Sequence, residues 1–393
     1  MTIKKLLIAN RGEIAIRIAR TASDLGIETV AVYAEDDAAS LHTRHADEAV
    51  SLGAVGVPAY LNGDKIVELA QSTGCDAIHP GYGFLSEIAD FAEACEAAGI
   101  TYVGPTPEAL RRFGDKALAR ALAESCDVPL LPGISHAITR DEAHSFYDSL
   151  GGGAVMLKAV AGGGGRGMRP VMDKADLDEA FERATSEAAA AFGSGDVYVE
   201  ELLPLARHVE VQVLGDGTGE AIHLWDRECS LQRQRQKLVE IAPAFALRDE
   251  TRAAMHEAAL QLARTINYRG LGTIEFLVDV RSGADERFVF MEANARLQVE
   301  HTVTEEVTGF DLVALQLAVA GGATLADQGL TQASVPAPRG SAVQVRVNLE
   351  TMARDGSSRP GGGVLTAYEP PAGPGIRVDG FGYSGYATSI HYD

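Results

Sequence analysis

Short apolar runs alternate with segments of helical spacing along the N-terminal part of the chain. In residues 13–25, Ile14, Ile18 and Leu25 recur on one helix face, and the flanking runs have the length and alternation of strands. The predicted elements are a strand at 5–9, a helix at 13–25, strands at 28–33 and 77–79, a helix at 87–98 and a strand at 101–103. This order predicts βαβ units in an open parallel sheet, with ligands at the carboxyl ends of its strands.

A second region of helices and strands follows this predicted sheet. A helix is predicted at 115–124, before Pro129 and Pro132 interrupt the pattern. The later predicted elements are strands at 155–160 and 168–171, a helix at 176–191, strands at 197–200 and 208–214, a helix at 250–266 and strands at 273–280 and 287–292. After Gly321 the pattern changes to short strands with Pro and Gly turns, which indicates a β-rich end.

A run of glycines follows the predicted strand at 155–160. Gly162, Gly164 and Gly167 satisfy the dinucleotide pattern G-x-G-x-x-G, but Pro170 favours an extended chain where that motif needs a helix. Two strands joined by a glycine loop fit better, with loop N–H groups closing over phosphates and Lys158 and Arg166 supplying charge. A flexible surface linker is the alternative.

The last two predicted strands of the second region flank a turn whose composition suits a hairpin. A turn centred between Gly283 and Ala284 places Glu275 opposite Glu292, and directly opposed carboxylates repel unless a cation lies between them. Asn294 adds a neutral oxygen on the same face. This hard, oxygen-only set suits Mg²⁺ rather than zinc, whereas two surface glutamates are the alternative.

Charged and amide side chains alternate directly after this hairpin. Arg296, Gln298 and Glu300 would project to one side of an extended segment and could hold a small planar anion beside a base. A solvated strand face is the alternative. Upstream, four cations within eleven residues indicate an anion pocket in an acidic chain: Arg227, Arg233, Arg235 and Lys237.

The overall charge excludes some partners. The 393 residues carry 34 Lys and Arg against 55 Asp and Glu, a net charge of −21, which disfavours wrapping nucleic acid or lying on an anionic membrane. No apolar run approaches the ~20 residues of a membrane span, and the charged N-terminus lacks a signal-peptide core, so a cytoplasmic protein is expected. The four cysteines form no Cys-x-x-Cys pair, which argues against a zinc or disulfide framework.

With these residues in place, the chain resembles the biotin carboxylase component of biotin-dependent carboxylases, a branch of the ATP-grasp ligases. Four motifs carry the resemblance: residues 8–15 (IANRGEIA), 79–87 (HPGYGFLSE), 158–168 (KAVAGGGGRGM) and 296–301 (RLQVEH). It implies an N-terminal Rossmann-like domain at 1–113, an ATP-grasp domain at 114–328 with a glycine-rich lid at about 131–204, and a β-rich C-terminal domain at 329–393.

The resemblance implies ATP-dependent carboxylation of carrier-linked biotin by bicarbonate, with Mg²⁺ (or Mn²⁺). It assigns catalytic roles to Glu300 as the base, and to Lys237, Arg296 and Arg346. It assigns the metal to Glu275, Glu292 and Asn294. It assigns nucleotide contacts to Lys116, Lys158, Gly163, Gly164, Gly165, Met168, Glu200, Leu203, His208 and Gln232. The bicarbonate pocket includes Gln298 and the Val299 backbone, and Tyr82 contacts biotin.

The sequence departs from the family pattern at Arg235, Gln344 and Thr302, where His or Asn, Glu, and Pro are usual. The family continues beyond the motif that ends this chain, so an incomplete last domain and a longer parent polypeptide are expected. Expected partners are a biotin carboxyl carrier domain, a carboxyltransferase and further copies of the chain. The expected final acceptors are acyl-CoA thioesters. Alternatives are a silent nucleotide-binding scaffold and another bicarbonate-activating ATP-grasp ligase, such as the carbamoyl-phosphate-forming kind.

Overall fold

Parallel strands form the N-terminal part of the protein. The computed structural model describes residues 3–134, 136–151, 153–160, 167–282, 286–389 and 392. Its first elements are β1 (Lys5–Ile8), α1 (Gly12–Asp24), β2 (Glu28–Tyr33), β3 (Glu48–Ser51), α2 (Val57–Tyr60), α3 (Gly63–Ser72), β4 (Ala77–His79), α4 (Ala89–Ala97), β5 (Thr101–Tyr102) and α5 (Pro107–Gly114). The predicted βαβ order is confirmed, while β3, α2, α3 and α5 were not predicted.

The five strands pair in the order β3-β2-β1-β4-β5, all parallel. Both predicted motifs of this domain follow the carboxyl ends of the neighbouring strands β1 and β4. The Asn10 amide donates to the carbonyl oxygens of Pro80 (2.7 Å) and Tyr82 (2.8 Å), which fixes one motif against the other. The ligand end of the sheet is therefore a preformed surface.

A small subdomain with its own core comes next. Its elements, preceded by α6 (Lys116–Ser125), are β6 (Gly133–Ile134), α7 (Arg140–Ser149), β7 (Val155–Ala159), β8 (Met168–Val171), α8 (Leu177–Phe192) and β9 (Val197–Glu201). The strands pair in the order β6-β9-β7-β8, and the buried residues of α7 and α8 share a core with them. The predicted pair of strands on either side of the glycine run is confirmed, whereas residues 161–166, which include Gly163, Gly164, Gly165 and Arg166, lie outside the described residues.

An antiparallel sheet forms the centre of the molecule. Its region contains β10 (Ala206–Asp216), β11 (Ala221–Arg233), β12 (Gln236–Ala242), α9 (Asp249–Thr265), β13 (Arg269–Asp279), β14 (Phe288–Asn294), α10 (His301–Thr308), α11 (Leu312–Ala320), β15 (Ala342–Val345), β16 (Glu350–Met352), β17 (Ser358–Pro360), β18 (Gly363–Val364) and β19 (Ala387–Thr388). Six strands pair in the order β14-β13-β10-β11-β12-β15. Because β15 is one of them, the β-rich end of the chain contributes directly to the central sheet.

The hairpin of β13 and β14 has the predicted pairing at its carboxylates, since Glu275 lies opposite Glu292. The register is not uniform, however, because an irregularity after Glu275 leaves Phe276 opposite Phe290. The pairing nearer the turn is therefore shifted by one residue from the predicted one. The bulge restores the predicted alignment where the two carboxylates meet.

The C-terminal segment also packs on the parallel-sheet domain. Arg11 forms a buried ion pair with Asp37 (2.5 and 2.8 Å), and the hydroxyl of Tyr386 donates to the same carboxylate (3.2 Å). Gly12 has a φ of +66°, and a Cβ at this position would lie 3.3 Å from the Phe381 ring.

Within the described residues, no helix is both long and apolar enough to cross a membrane.

Candidate active site

The side chain of Lys237 is the centre of a buried cluster of charges. Its Nζ lies 2.6 Å from Glu210, 2.8 Å from Glu275 and 2.8 Å from Glu300. Burial alone would lower the pKa of Lys237, but the three carboxylates hold it well above the usual value. This ammonium therefore stays charged and connects three strands or loops of the central sheet.

Besides Lys237, Glu275 is bound by His208, by Asn294 and, at 3.4 Å, by Gln298. His208 Nε2 lies 2.6 Å from its Oε2, and the Asn294 amide donates to its Oε1 at 2.6 Å. The other ring nitrogen of His208 lies 2.8 Å from the Gln232 amide. Burial would raise the pKa of Glu275, but Lys237 and His208 hold it far below its usual range. Glu275 is therefore a carboxylate at neutral pH.

Glu292 lies across the strand pair from Glu275, at the solvent-exposed mouth of the site. Burial of the carboxyl group by surrounding protein atoms, and then repulsion from the Glu275 carboxylate, raise the pKa of Glu292. Two opposed carboxylates with the amide oxygen of Asn294 nearby form the oxygen-rich set that suits Mg²⁺. The residues therefore fit the predicted metal, and the raised pKa of Glu292 is expected where a cation belongs between two acids.

The predicted anion side is organised by Arg296. Its guanidinium donates to the side-chain oxygens of Gln298 (2.8 Å) and Asn294 (3.1 Å), and it forms an ion pair with Glu87 (2.8 Å). Arg296 and Gln298 thus lie on one side, as the alternation predicts. Leu297 between them is fully buried, and half-buried Val299 follows. The segment is anchored by its apolar residues while its polar side chains face the site.

Arg346 joins the β-rich end of the chain to Glu300, the candidate base. Its guanidinium lies 3.0 Å from Glu300 and 2.8 Å from Glu240. Tyr82 shares this environment, because the charges of Arg346 and Glu300 both act on its hydroxyl. Burial, and then the hydrogen-bonded Glu13 carboxylate, raise the pKa of Tyr82 well above 10. Glu300 and Arg346 are therefore in contact, and both act electrostatically on Tyr82.

The predicted nucleotide residues border this cluster on the side of Glu292. Lys116 begins α6, and Lys158 on β7 forms an ion pair with Glu200 on β9. Burial, and then Lys158, lower the pKa of Lys116, while Glu292 and Glu200 oppose that shift. Met168 pairs with Lys158 across β7 and β8, and Leu203 is buried in a cluster with Leu131 and Val289.

The prediction that four cations form one anion pocket is wrong in part, since Lys237 lies at the centre of the charge cluster whereas the three arginines have separate partners. Arg227 is fully buried and pairs with Glu210 (2.5 Å), whereas Arg233 pairs with Glu350 (2.5 Å). Arg235 reaches the Met168 carbonyl oxygen at 3.5 Å. The physical reason is that β11 has two irregularities between Glu228 and Gln232, so equal spacing in sequence does not give one common face.

Sequence reasoning missed three acids that orient the predicted residues. Glu87 binds Arg296, Glu210 binds Lys237, and Glu240 binds Arg346. Glu210 could have been found, because it follows His208 by two residues on one strand and so lies on the same face. Glu240 had no such signal, since its partner lies 106 residues away.

Two family models match the chain. Residues 2–110 match "Biotin carboxylase, N-terminal domain", and residues 115–328 match "Carbamoyl-phosphate synthase L chain, ATP binding domain". Pyruvate carboxylase of Aspergillus niger is 48% identical over 399 residues, which cover 100% of this chain and 33% of the relative. The chain thus spans about one third of the length of the curated relatives it matches.

Solved structures agree with the family models. A biotin carboxylase from Campylobacter jejuni, in complex with β,γ-ATP, has a TM-score of 0.92 and 40% identity, covering 100% of this chain and 85% of that one. The biotin carboxylase domain dimer of Hydrogenobacter thermophilus 2-oxoglutarate carboxylase, with MgADP, ADP and bicarbonate, has a TM-score of 0.92 and 40% identity, covering 100% and 84%. The chain therefore belongs to the biotin carboxylase family and carries its N-terminal and ATP-grasp domains.

Proposed function

We propose that this chain uses ATP to carboxylate biotin with bicarbonate, the first half-reaction of a biotin-dependent carboxylase. The observation that carries the proposal is the position of Lys237. Its ammonium contacts Glu275, which faces Glu292 on the metal side, and also Glu300, the candidate base. One residue thus connects the groups for phosphoryl transfer with those for proton transfer. The solved relatives that bind β,γ-ATP, or MgADP with bicarbonate, support this assignment.

In the first step, Arg296 and Gln298 would hold bicarbonate, with Lys237 beside it. A bicarbonate oxygen attacks the γ-phosphorus of ATP, the bond from that phosphorus to the β,γ-bridging oxygen breaks, and Glu300 accepts the bicarbonate proton. The products are ADP and carboxyphosphate. Glu300 suits the role because it is 1% exposed and lies 2.8 Å from Lys237 and 3.0 Å from Arg346.

Lys116 and Lys158 would contact the transferring phosphates from the side of the small β6–β9 sheet. Glu275, Glu292 and Asn294 would hold Mg²⁺, which when bound neutralises charge on those phosphates. Met168, Glu200, Leu203, His208 and Gln232 would surround the rest of the nucleotide. Closure of the subdomain that contains the β6–β9 sheet would keep water from hydrolysing carboxyphosphate.

In the second step, carboxyphosphate breaks down to CO₂ and phosphate. The phosphate takes the N1′ proton of biotin, and N1′ then forms a bond to the carbon of CO₂. Negative charge moves onto the ureido oxygen, where the Arg346 guanidinium would stabilise it. Tyr82 would contact biotin, since its hydroxyl lies in the electrostatic environment of Arg346 and Glu300.

The final carboxyl acceptor is a separate proposal. Curated relatives of 46–48% identity are pyruvate carboxylases and one solved relative is a 2-oxoglutarate carboxylase, whereas another solved relative, 46% identical, is a long-chain acyl-CoA carboxylase. We infer a 2-oxo acid acceptor, rather than the acyl-CoA expected from the sequence, because the pyruvate carboxylases match the whole chain at up to 48% identity. A carrier domain and a carboxyltransferase would then act with this chain, as parts of a longer polypeptide or as separate subunits. Several copies would assemble, as in the dimeric relative.

The test is ADP release from MgATP by the purified protein with every segment that its gene encodes. Turnover should require bicarbonate, rise with biotin, and be lost in Glu300→Gln. The matched control is Glu306→Gln. Glu306 is an exposed acid on α10, the helix that begins directly after Glu300, and this variant should retain activity. Stimulation by ammonia instead of biotin would contradict the proposal in favour of a carbamoyl-phosphate-forming ligase. Tight MgATP binding without turnover would support a silent scaffold.

A further inference from the structure

Glu240 is a buried carboxylate that the proposed steps do not use. It lies on β12, is 0% exposed, and pairs across the sheet with Gln344 of β15. Its Oε1 accepts from Arg346 at 2.8 Å from Nε and 2.5 Å from Nη2. Its Oε2 is also buried and has no hydrogen-bond partner among the described residues. Among the described residues, the ion-pair partner of this fully buried carboxylate is the Arg346 guanidinium.

Arg346 is shared between two acids, because its Nη2 lies 2.5 Å from Glu240 and 3.0 Å from Glu300. An arginine with a single carboxylate partner prefers a bidentate pair that uses two of its N–H groups. Without Glu240, the guanidinium could turn both groups toward Glu300. The candidate base would then be covered by the residue that should stabilise the biotin enolate.

We propose that Glu240 is a positioning residue that holds the Arg346 guanidinium at a fixed place between Glu240 and Glu300. This inference rests on the proposed function. Glu240 leaves Arg346 one contact with Glu300 while fixing its orientation toward biotin. Within the described part of the chain, its hydrogen bonds and ion pair go to Arg346, so we assign its effect to Arg346.

A purely structural ion pair is the competing explanation, and the same interface offers a matched control. The Thr302 hydroxyl donates to Gln344 at 2.5 Å, joining α10 to β15 without touching Arg346. Both positions depart from the family pattern, yet in this chain they bond to each other. Thr302→Val therefore weakens the same contact between segments but leaves the guanidinium and its two acids in place.

The experiment measures biotin-stimulated ADP release by the full-length protein. Glu240→Gln should lower kcat for this reaction about tenfold, while KM for ATP changes by less than about twofold. Thr302→Val should stay within about twofold of the unaltered protein. In an Arg346→Lys background, Glu240→Gln should change kcat by less than about twofold, because the group it positions is gone.

Glu240→Asp keeps the charge but shortens its reach, so it should also lose activity while melting like the unaltered protein. Full activity in Glu240→Gln or Glu240→Asp would overturn the inference. So would an equal loss in Thr302→Val, or an undiminished effect of Glu240→Gln in the Arg346→Lys background. If the unaltered protein shows no biotin stimulation, the proposed function itself fails, and the two failures are therefore distinguishable.

Discussion

Arg227 allows a quantitative test of the difference between a structural cation and an anion-binding one. Its guanidinium donates to Glu210 (2.5 Å), Gln212 (2.8 Å), Thr304 (2.9 Å) and Thr273 (3.2 Å), and all five side chains are buried. Removing one partner of a buried, hydrogen-bonded ion pair costs about 3–5 kcal/mol. Arg227→Met keeps most of the apolar stem but deletes all four donated hydrogen bonds.

We expect a loss near the lower limit, about 3 kcal/mol, because Glu210 keeps Lys237 at 2.6 Å as a second cation. At ~2–4 °C per kcal/mol, the thermal unfolding midpoint should fall by about 6–12 °C. The assay is thermal unfolding of the full-length protein beside Arg111→Met, whose exposed ion pairs contribute little. The reasoning is refuted if Arg227→Met melts within about 2 °C of the unaltered protein.

Three further results are expected. Glu87→Gln should raise KM for bicarbonate about fivefold with kcat little changed, since the half-exposed Glu87 orients Arg296; an unchanged KM would contradict this. Gly12→Ala should lower stability by about 1–2 kcal/mol in a melting assay, because φ is +66° and Phe381 blocks a Cβ; an unchanged midpoint would count against it. Burial, and then a neighbouring imidazole, lower the pKa of His223 to about 3. As the pH is lowered, the unfolded state therefore takes up the proton first. The thermal unfolding midpoint should fall as the pH decreases from about 6.5 toward 4, and it should fall less steeply in His223→Gln.

Elements with a clear apolar pattern could be predicted from the sequence, and those without a period or with unusual turns could not. Helix α1 follows its predicted bounds closely because its apolar face recurs at helical spacing, and the buried strands β2 and β4 follow theirs because each is a short apolar run. Helix α11 is almost entirely apolar and so has no helical period to detect. The hairpin of β11 and β12 was missed because Gln234 and Arg235 adopt φ of +49° and +69° in its turn, where glycine or asparagine would have given a signal.

The same distinction applies to the site. Glu275, Glu292 and Asn294 lie on one hairpin, so their proximity follows from local pairing and could be predicted. The contacts of Arg346 with Glu240 and Glu300 depend on where β15 joins the central sheet, and that position has no local signal. Residue types thus indicated the chemistry, whereas the acids that orient the cations became visible only with the sheet order.

The sheet order also explains how one lysine reaches three acids. Lys237 lies on β12 and Glu210 on β10, so the lysine side chain must pass over β11, the strand between them. At that level β11 carries Cys229, whose thiol lies within 4.8 Å of the carboxylates of Glu210 and Glu300. A small side chain beside a strand irregularity leaves room for the four-carbon stem of the lysine. The irregularity that separates the arginines of β11 therefore lies on the same strand that the Lys237 side chain crosses to reach Glu210.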